Sequence, residues 1–462
     1  MPKEIAVIGA GPKGVAIAAK ARAAQLAGVP DAPLVTLFER NQAGAAWCGL
    51  HGYTDGLQPL CTPAERDLGF PYERLSFGAP LAAAVAEQMQ REFSWHAFCI
   101  AEGIDATSYH DWVLRGRKPP AHNDFVRYLD FATRRSRATV EVGTVHEIDY
   151  YARDSKWVVS WLDVDRNPAG RRSFDAVVVT GSGPPKDPLT GAVDPQFPHS
   201  YDAANFWSAR DSIESYLKSM PDEPGSVVIV GAGGGAAAIA NWFVRNHVPA
   251  TVRIVGREPT LYARRASYFE DRLFTDEEAW TGLPLEAKAT FLRRSTAGVV
   301  WERVLDAISK DNVNYICADA VEVVTRTSLV SSMPPQFALK SRPIADAEQQ
   351  RIDAALAAAG VTGQIQSLPS FDFHDADVLV DARGFKPLAF LDDMGLAAPL
   401  RSRFGSLGVA ELQQCVDESL QLVLPGLPAG LHVPALGVVK SPAAGNLMAL
   451  GWLSNSVLSR YL

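Results

Sequence analysis

Short unbroken apolar runs alternate with alanine-rich stretches along this chain, and one particular order of them occurs twice. Ile5-Ala-Val-Ile8 is the length of a strand buried on both faces. It closes on Gly9-Ala-Gly11-Pro-Lys-Gly14, after which Val15 to Leu26 reads as a helix, and a second run, Leu34 to Phe38, ends on Glu39. The same order returns further on. Ser226 to Val230 is a strand, Gly231-Ala-Gly233-Gly-Gly235-Ala236 opens a second alanine-rich helix, and Thr251 to Val255 is the next strand. Two further runs, Phe174 to Thr180 and Ala376 to Arg383, end on Gly181 and Gly384. Strands alternating with helices in this way predict parallel sheets in an α/β protein.

Each glycine cluster has the form of a dinucleotide-binding turn. The first glycine makes the tight turn, the second lets a pyrophosphate approach the backbone, and the third lets helix pack on strand. Gly9, Gly11 and Gly14 fill these places in the first cluster, and Gly231, Gly233 and Ala236 in the second. The free N–H groups of the helix that follows favour phosphate. Glu39, at the end of its strand, can accept both hydroxyls of an adenosine ribose, which suits FAD. The second site carries Gly256-Arg257 at that place, with Arg264 and Arg265 close behind. These cations favour the 2′-phosphate of NADPH over NADH, since an acid there would repel it.

The fold class expected is α/β with two Rossmann-like dinucleotide-binding domains, the NADPH domain inserted into the FAD domain, and a small helical substrate-covering part. The runs ending on Gly181 and Gly384 would carry the chain out of the first domain and back. The expected division is residues 1–180 and 376–462 for FAD, and 181–375 for NADPH. Within the insert, Leu285 to Leu292, Val299 to Ile308 and Ala345 to Ala359 read as helices.

Composition narrows the class of partner. The chain has 462 residues, 47% hydrophobic and 21% charged, with a net charge of −8. No basic stripe points to nucleic acid or an anionic membrane. The five cysteines (Cys48, Cys61, Cys99, Cys317 and Cys415) are scattered, without a C-x-x-C pair. They predict no disulfide framework, no metal site and no disulfide-reductase chemistry. Met1-Pro-Lys-Glu4 runs straight into a strand, so no signal peptide is expected, and no apolar run reaches the ~20 residues of a membrane span. A cytoplasmic protein is expected, with a homo-oligomer left open.

Several segments outside the glycine turns are collinear with one known family. They are Gly44-Ala-Ala-Trp47, Gln58, Ala64-Glu-Arg66-Asp67-Leu68, Pro120 to Phe131, Arg265-Ala-Ser267-Tyr-Phe269-Glu-Asp271-Arg-Leu-Phe274, and Trp452-Leu453-Ser454 to Ser459. In their order they resemble the flavin-dependent N-hydroxylating monooxygenases, the ornithine and lysine N-hydroxylases of siderophore biosynthesis. The resemblance implies that Trp47 lies over the flavin and that Trp47 and Gln58 help protect it during catalysis. It also implies cofactor contacts at Arg40, Ser267, Leu453 and Ser454. Arg66 stands where the family has a carboxylate-binding lysine, and a guanidinium there would grip a substrate carboxylate bidentately.

The chain also departs from the family's pattern. Thr296-Ala297-Gly298-Val299 replaces a Thr-Asn-Tyr-Ser loop whose Asn contacts the amino acid, and neither Ala297 nor Gly298 can make that hydrogen bond. His122 and Asn123 replace two arginines of the Pro120 to Phe131 helix. The activity implied is an NADPH- and O₂-dependent monooxygenase that forms a C4a-hydroperoxyflavin and N-hydroxylates a primary amine of an amino acid or small amine. His51, His122 and His199 are the histidines weighed as bases. A Baeyer–Villiger or sulfur-oxidising monooxygenase is the alternative enzyme, but around Phe197, His199 and Trp207 its signature lacks the glycine and the spacing. An inactive flavin-binding protein is the alternative without catalysis.

Overall fold

In the computed structural model, which describes residues 1–50, 52–72, 79–102, 108–189, 199–220, 224–265, 267–295, 299–309, 313–326, 336–344, 371–404 and 408–462, each glycine turn leaves an inner strand of its own sheet. The first sheet runs Leu431–His432, Ala176–Val179, Glu4–Ile8, Leu34–Glu39, Thr139–Val142, and every neighbouring pair is parallel. Ile5, Ala6 and Val7 are fully buried because helices and a second layer cover both faces. On one face lies the helix Pro12–Leu26, whose small side chains let His122–Ser136 and Leu450–Leu458 pack closely on it. A three-stranded antiparallel sheet, Thr144–Tyr151, Lys156–Leu162 and Pro168–Phe174, packs against the same core, with the rings of Trp161 and Phe174 edge-on to Phe38 at 5.1 and 5.9 Å.

The second sheet has seven strands in the order Asp372–Ala376, Gln336–Pro343, Val313–Arg326, Ala250–Gly256, Gly225–Val230, Val378–Asp381, Ser200–Asp202. Its nucleotide half is parallel, and the long strand Val313–Arg326 leads into an antiparallel extension.

One boundary differs from expectation. The run beginning at Ala376 was expected to open the return to the first unit, yet Val378–Asp381 pairs in parallel with Val227–Val230 in the second sheet. Asp377 fixes the match: its backbone N–H donates to the Ser226 carbonyl and its carboxylate accepts from the Ser226 N–H, both at 2.7 Å. An apolar run of this length fits either sheet, and the partner that holds it is not local in sequence. Val378–Asp381 is therefore a strand of the second sheet, not of the first.

The helical part comprises Tyr268–Arg272, Glu277–Thr281, Leu285–Ser295 and Glu302–Ile308. The helix expected over Val299 to Ile308 begins late, because Val299–Trp301 pairs as a short strand with Tyr262–Arg264. The helix expected at Ala345 to Ala359 lies outside the described residues. Among the described residues, no helix is long and apolar enough to cross a membrane.

Candidate active site

The first turn has the shape a pyrophosphate needs. Gly9 takes φ +100°, and a Cβ on Gly14 would lie 2.1 Å from the Gly9 carbonyl oxygen, so these two glycines are required by turn and packing. Gly11 meets nothing within 4 Å, so its bare Cα faces open space. The Glu39 carboxylate is held at the turn, accepting from the Ala10 N–H at 3.0 Å and the Asn41 N–H at 3.2 Å. Arg40 is exposed beside it. This cradle fits FAD: the glycines admit the diphosphate, and Glu39 stands where the ribose would lie.

The second turn repeats the geometry. Gly231 takes φ +127°, with the Ala382 carbonyl oxygen 2.4 Å from where its Cβ would be, while Gly235 faces open space. Gly233 caps the helix Gly234–Arg245, and Ala236 is fully buried in the packing position. The residues therefore fit a second dinucleotide. The three arginines expected at its 2′-phosphate have different surroundings. Arg257 is exposed at the strand end. The exposed Arg265 pairs with Glu302 at 2.7 Å. The Arg264 guanidinium is turned into the helical part, donating to the Ser295 carbonyl at 2.6 Å, facing Asp271 at 3.6 Å and lying over the Phe274 ring. A cavity of about 500 Å³ opens beside Arg264, but all its walls come from residues 263–295, so it belongs to the helical part alone.

The two units meet along a polar seam. Gln58, expected on the flavin side, is buried and bonded to the second unit's helix: its side-chain oxygen accepts from Asn241 at 2.9 Å and its nitrogen donates to the Ala238 carbonyl at 3.4 Å. Asp55 pairs with Arg245 of the same helix, and Arg210 donates to the Gly49 carbonyl at 2.5 Å. Trp47 ends a single helical turn entered through Gly44 at φ +71°, and its ring lies 4.6 Å from His122 and 5.6 Å from Phe125. His122 bonds the Thr54 hydroxyl at 2.9 Å, and burial pushes its pKa down to about 4 against the pull of Asp55, so the imidazole is neutral at physiological pH. His199 stacks on Tyr216 at 3.8 Å in the second unit, and His51 lies outside the described residues.

Arg66 reaches across the same seam. Its guanidinium donates to Asp271 at 2.7 Å and contacts the Met448 sulfur at 3.2 Å. Asp271 also accepts from the Ser267 N–H at 3.2 Å, yet its second oxygen is buried without a hydrogen bond. Arg66 and Arg264 share this one acid, so the trio keeps a net positive charge. Asp67 is not the partner of Arg66. Its carboxylate is spent on the Gly69 and Trp95 N–H groups and the Tyr72 hydroxyl, and burial raises its pKa to about 6. Leu453 and Ser454 are fully enclosed in the helix Leu450–Leu458, with the Ser454 hydroxyl turned back on the Gly451 carbonyl at 3.1 Å. Ala297 and Gly298 lie outside the described residues.

Two turns of dinucleotide-binding form, one in each unit, and a cationic side-chain cluster at the seam between the units are the features to be matched. The profile of the L-lysine 6-monooxygenase/L-ornithine 5-monooxygenase family matches residues 83–360. The chain belongs to this family. It is an FAD- and NADPH-dependent monooxygenase that hydroxylates amine nitrogen. The L-lysine N6-monooxygenase MbtG of Mycobacterium sp. (strain MCS) is 29% identical over 99% of this chain and 95% of its own length. MbtG of Mycolicibacterium paratuberculosis is 27% identical over the same shares. Among solved structures, lysine monooxygenase NbtG from Nocardia farcinica, described as having an unprecedented NADPH domain conformation, superposes with a TM-score of 0.73 at 25% identity, covering 98% of each chain. The Kutzneria sp. 744 ornithine N-hydroxylase KtzI, solved with reduced FAD, NADP⁺ and L-ornithine, shares the fold at a TM-score of 0.67 and 16% identity, over 100% of this chain and 99% of its own.

Proposed function

We propose that this enzyme N-hydroxylates the side-chain amine of L-lysine for siderophore assembly. The observation that carries this reading is Arg66, a cation of the first unit held by Asp271 of the second, at the seam between the two units. A free amino acid brings a carboxylate that this net positive trio would take, leaving its side-chain amine free to react. The curated relatives named for lysine favour it over ornithine.

The overall conversion is R–NH₂ + O₂ + NADPH + H⁺ → R–NHOH + NADP⁺ + H₂O. Bound FAD, reduced by NADPH, supplies the oxygen-activating chemistry. Gly9, Gly11, Gly14 and Glu39 would hold FAD. Gly231, Gly233 and Arg257 would hold NADPH. Arg66 would fix the substrate's carboxyl end, and the indole of Trp47 beside the neutral His122 would keep bulk water from the reacting face. The substrate nitrogen must arrive unprotonated to act as a nucleophile.

Comparing kcat/KM for hydroxylamine product with L-lysine, L-ornithine and cadaverine tests the reading. Lysine is expected to lead both. Preference for cadaverine would remove the role of the carboxylate, and preference for ornithine would correct the chain length.

A further inference from the structure

Lys13 is a cation without an anion. It is the second residue of the helix Pro12–Leu26 and so stands at the mouth of the first glycine turn. Its Nζ donates to the Ala444 carbonyl at 2.7 Å, and among the described residues it forms no ion pair. Burial lowers its pKa to about 8, the mark of an ammonium short of solvation and counter-charge. Lys20, two turns on along the same face, donates to the Gly451 carbonyl at 3.1 Å and is 1% exposed. Lys20 is walled in. Lys13 is only partly enclosed, and it follows two residues after Gly11, whose bare Cα meets nothing within 4 Å.

A partly buried ammonium whose acceptor is a neutral carbonyl is poorly compensated unless a ligand brings the missing charge. The helix terminus it sits on is itself an anion site, and both features call for the same group. We propose that Lys13 is the counter-ion of the FAD diphosphate, adding a side-chain charge to a turn whose glycines offer only backbone N–H groups. The proposal rests on FAD occupying the first turn. The Ala444 carbonyl then acts as a neutral rest that holds the lysine ammonium near the start of this helix.

The test is FAD affinity of the apoprotein, measured by flavin fluorescence, together with the two-electron potential of the bound flavin. K13M should weaken FAD binding about 10- to 100-fold, the loss of one charge-assisted contact, while K13R stays close to wild type. Oxidised and reduced FAD share the diphosphate, so the potential should not move. If G11A weakens FAD binding and K13M does not, the cofactor is at the first turn but Lys13 is not its partner. If neither variant changes it, FAD at the first turn is itself wrong. A shifted potential at unchanged affinity would place the ammonium at the flavin ring and overturn the assignment. Should K13M fail to fold, K13Q with K13R makes the same comparison.

Discussion

Arg66 of the first unit and Asp271 of the second are joined at 2.7 Å, with side chains only 17% and 10% exposed. This contact ties the two nucleotide units together, and in the proposed function it sets the charge that a substrate carboxylate would meet. Arg66→Met should raise KM for L-lysine about 10- to 100-fold with a much smaller change in kcat, since a charge-assisted contact made equally in ground and transition states is lost. Asp271→Asn removes the competing acid, so KM should fall below that of the wild type. Steady-state kinetics on hydroxylamine product would show both, and an unchanged KM in Arg66→Met would exclude it as the carboxylate partner.

Gly11 and Gly14 make opposite demands. Gly14→Ala drives a methyl into the Gly9 carbonyl and should lower the stability of the apoprotein by more than about 1 kcal/mol. Gly11→Ala meets no protein atom within 4 Å, so the apoprotein should melt as the wild type does. Its FAD affinity should nevertheless fall at least tenfold. Thermal melts with and without FAD separate the two effects.

The Asp55 side chain is 4% exposed, and its ion-pair partner among the described residues is Arg245 of the opposite unit. Arg245→Met leaves that carboxylate buried without this counter-charge, and the cost should be about 1–3 kcal/mol in denaturant unfolding. Asp55→Asn together with Arg245→Met should recover part of it. Additive losses in the double variant would mean that the two groups do not interact.

His432 sits fully buried between the Ser419 carbonyl at 2.8 Å and the Tyr461 hydroxyl at 2.7 Å, and burial pushes its pKa down to about 4 from 6.5. Unfolded, the ring takes a proton near pH 6.5; folded, it resists until about 4. The unfolded state binds more protons between these values, so stability is lost as pH falls through that window, by roughly 2–4 kcal/mol for this group. His432→Gln should flatten the stability curve between pH 6.5 and 4. His122, which shares the low pKa, leaves a residual slope. A variant curve parallel to the wild type would show that His432 does not titrate there.

Much of this was legible from periodicity. Gly9 and Gly231 adopt the positive φ that a turn demands, and Glu39 ends its strand against that turn, because these are local consequences of short-range sequence. The sheet that claims Val378–Asp381 was not legible, since pairing with Val227–Val230 is fixed across some 150 residues by Asp377 and Ser226. The seam was missed for the same reason. Asn241 and Arg245 read as ordinary polar faces of a helix, and nothing in their neighbourhood says that Gln58 and Asp55 stand opposite. Arg264 and Asp271 had local signals, but their shared contact with Arg66 depends on how the helical part folds back.

The fate of the substrate nitrogen is the most direct measure of this enzyme's chemistry. Purified enzyme with FAD, NADPH, O₂ and L-lysine should give a product heavier by one oxygen on the side-chain amine, identified by mass spectrometry, with one NADPH consumed per hydroxylamine formed. NADPH oxidation that yields only H₂O₂ with lysine, ornithine and cadaverine alike would contradict it.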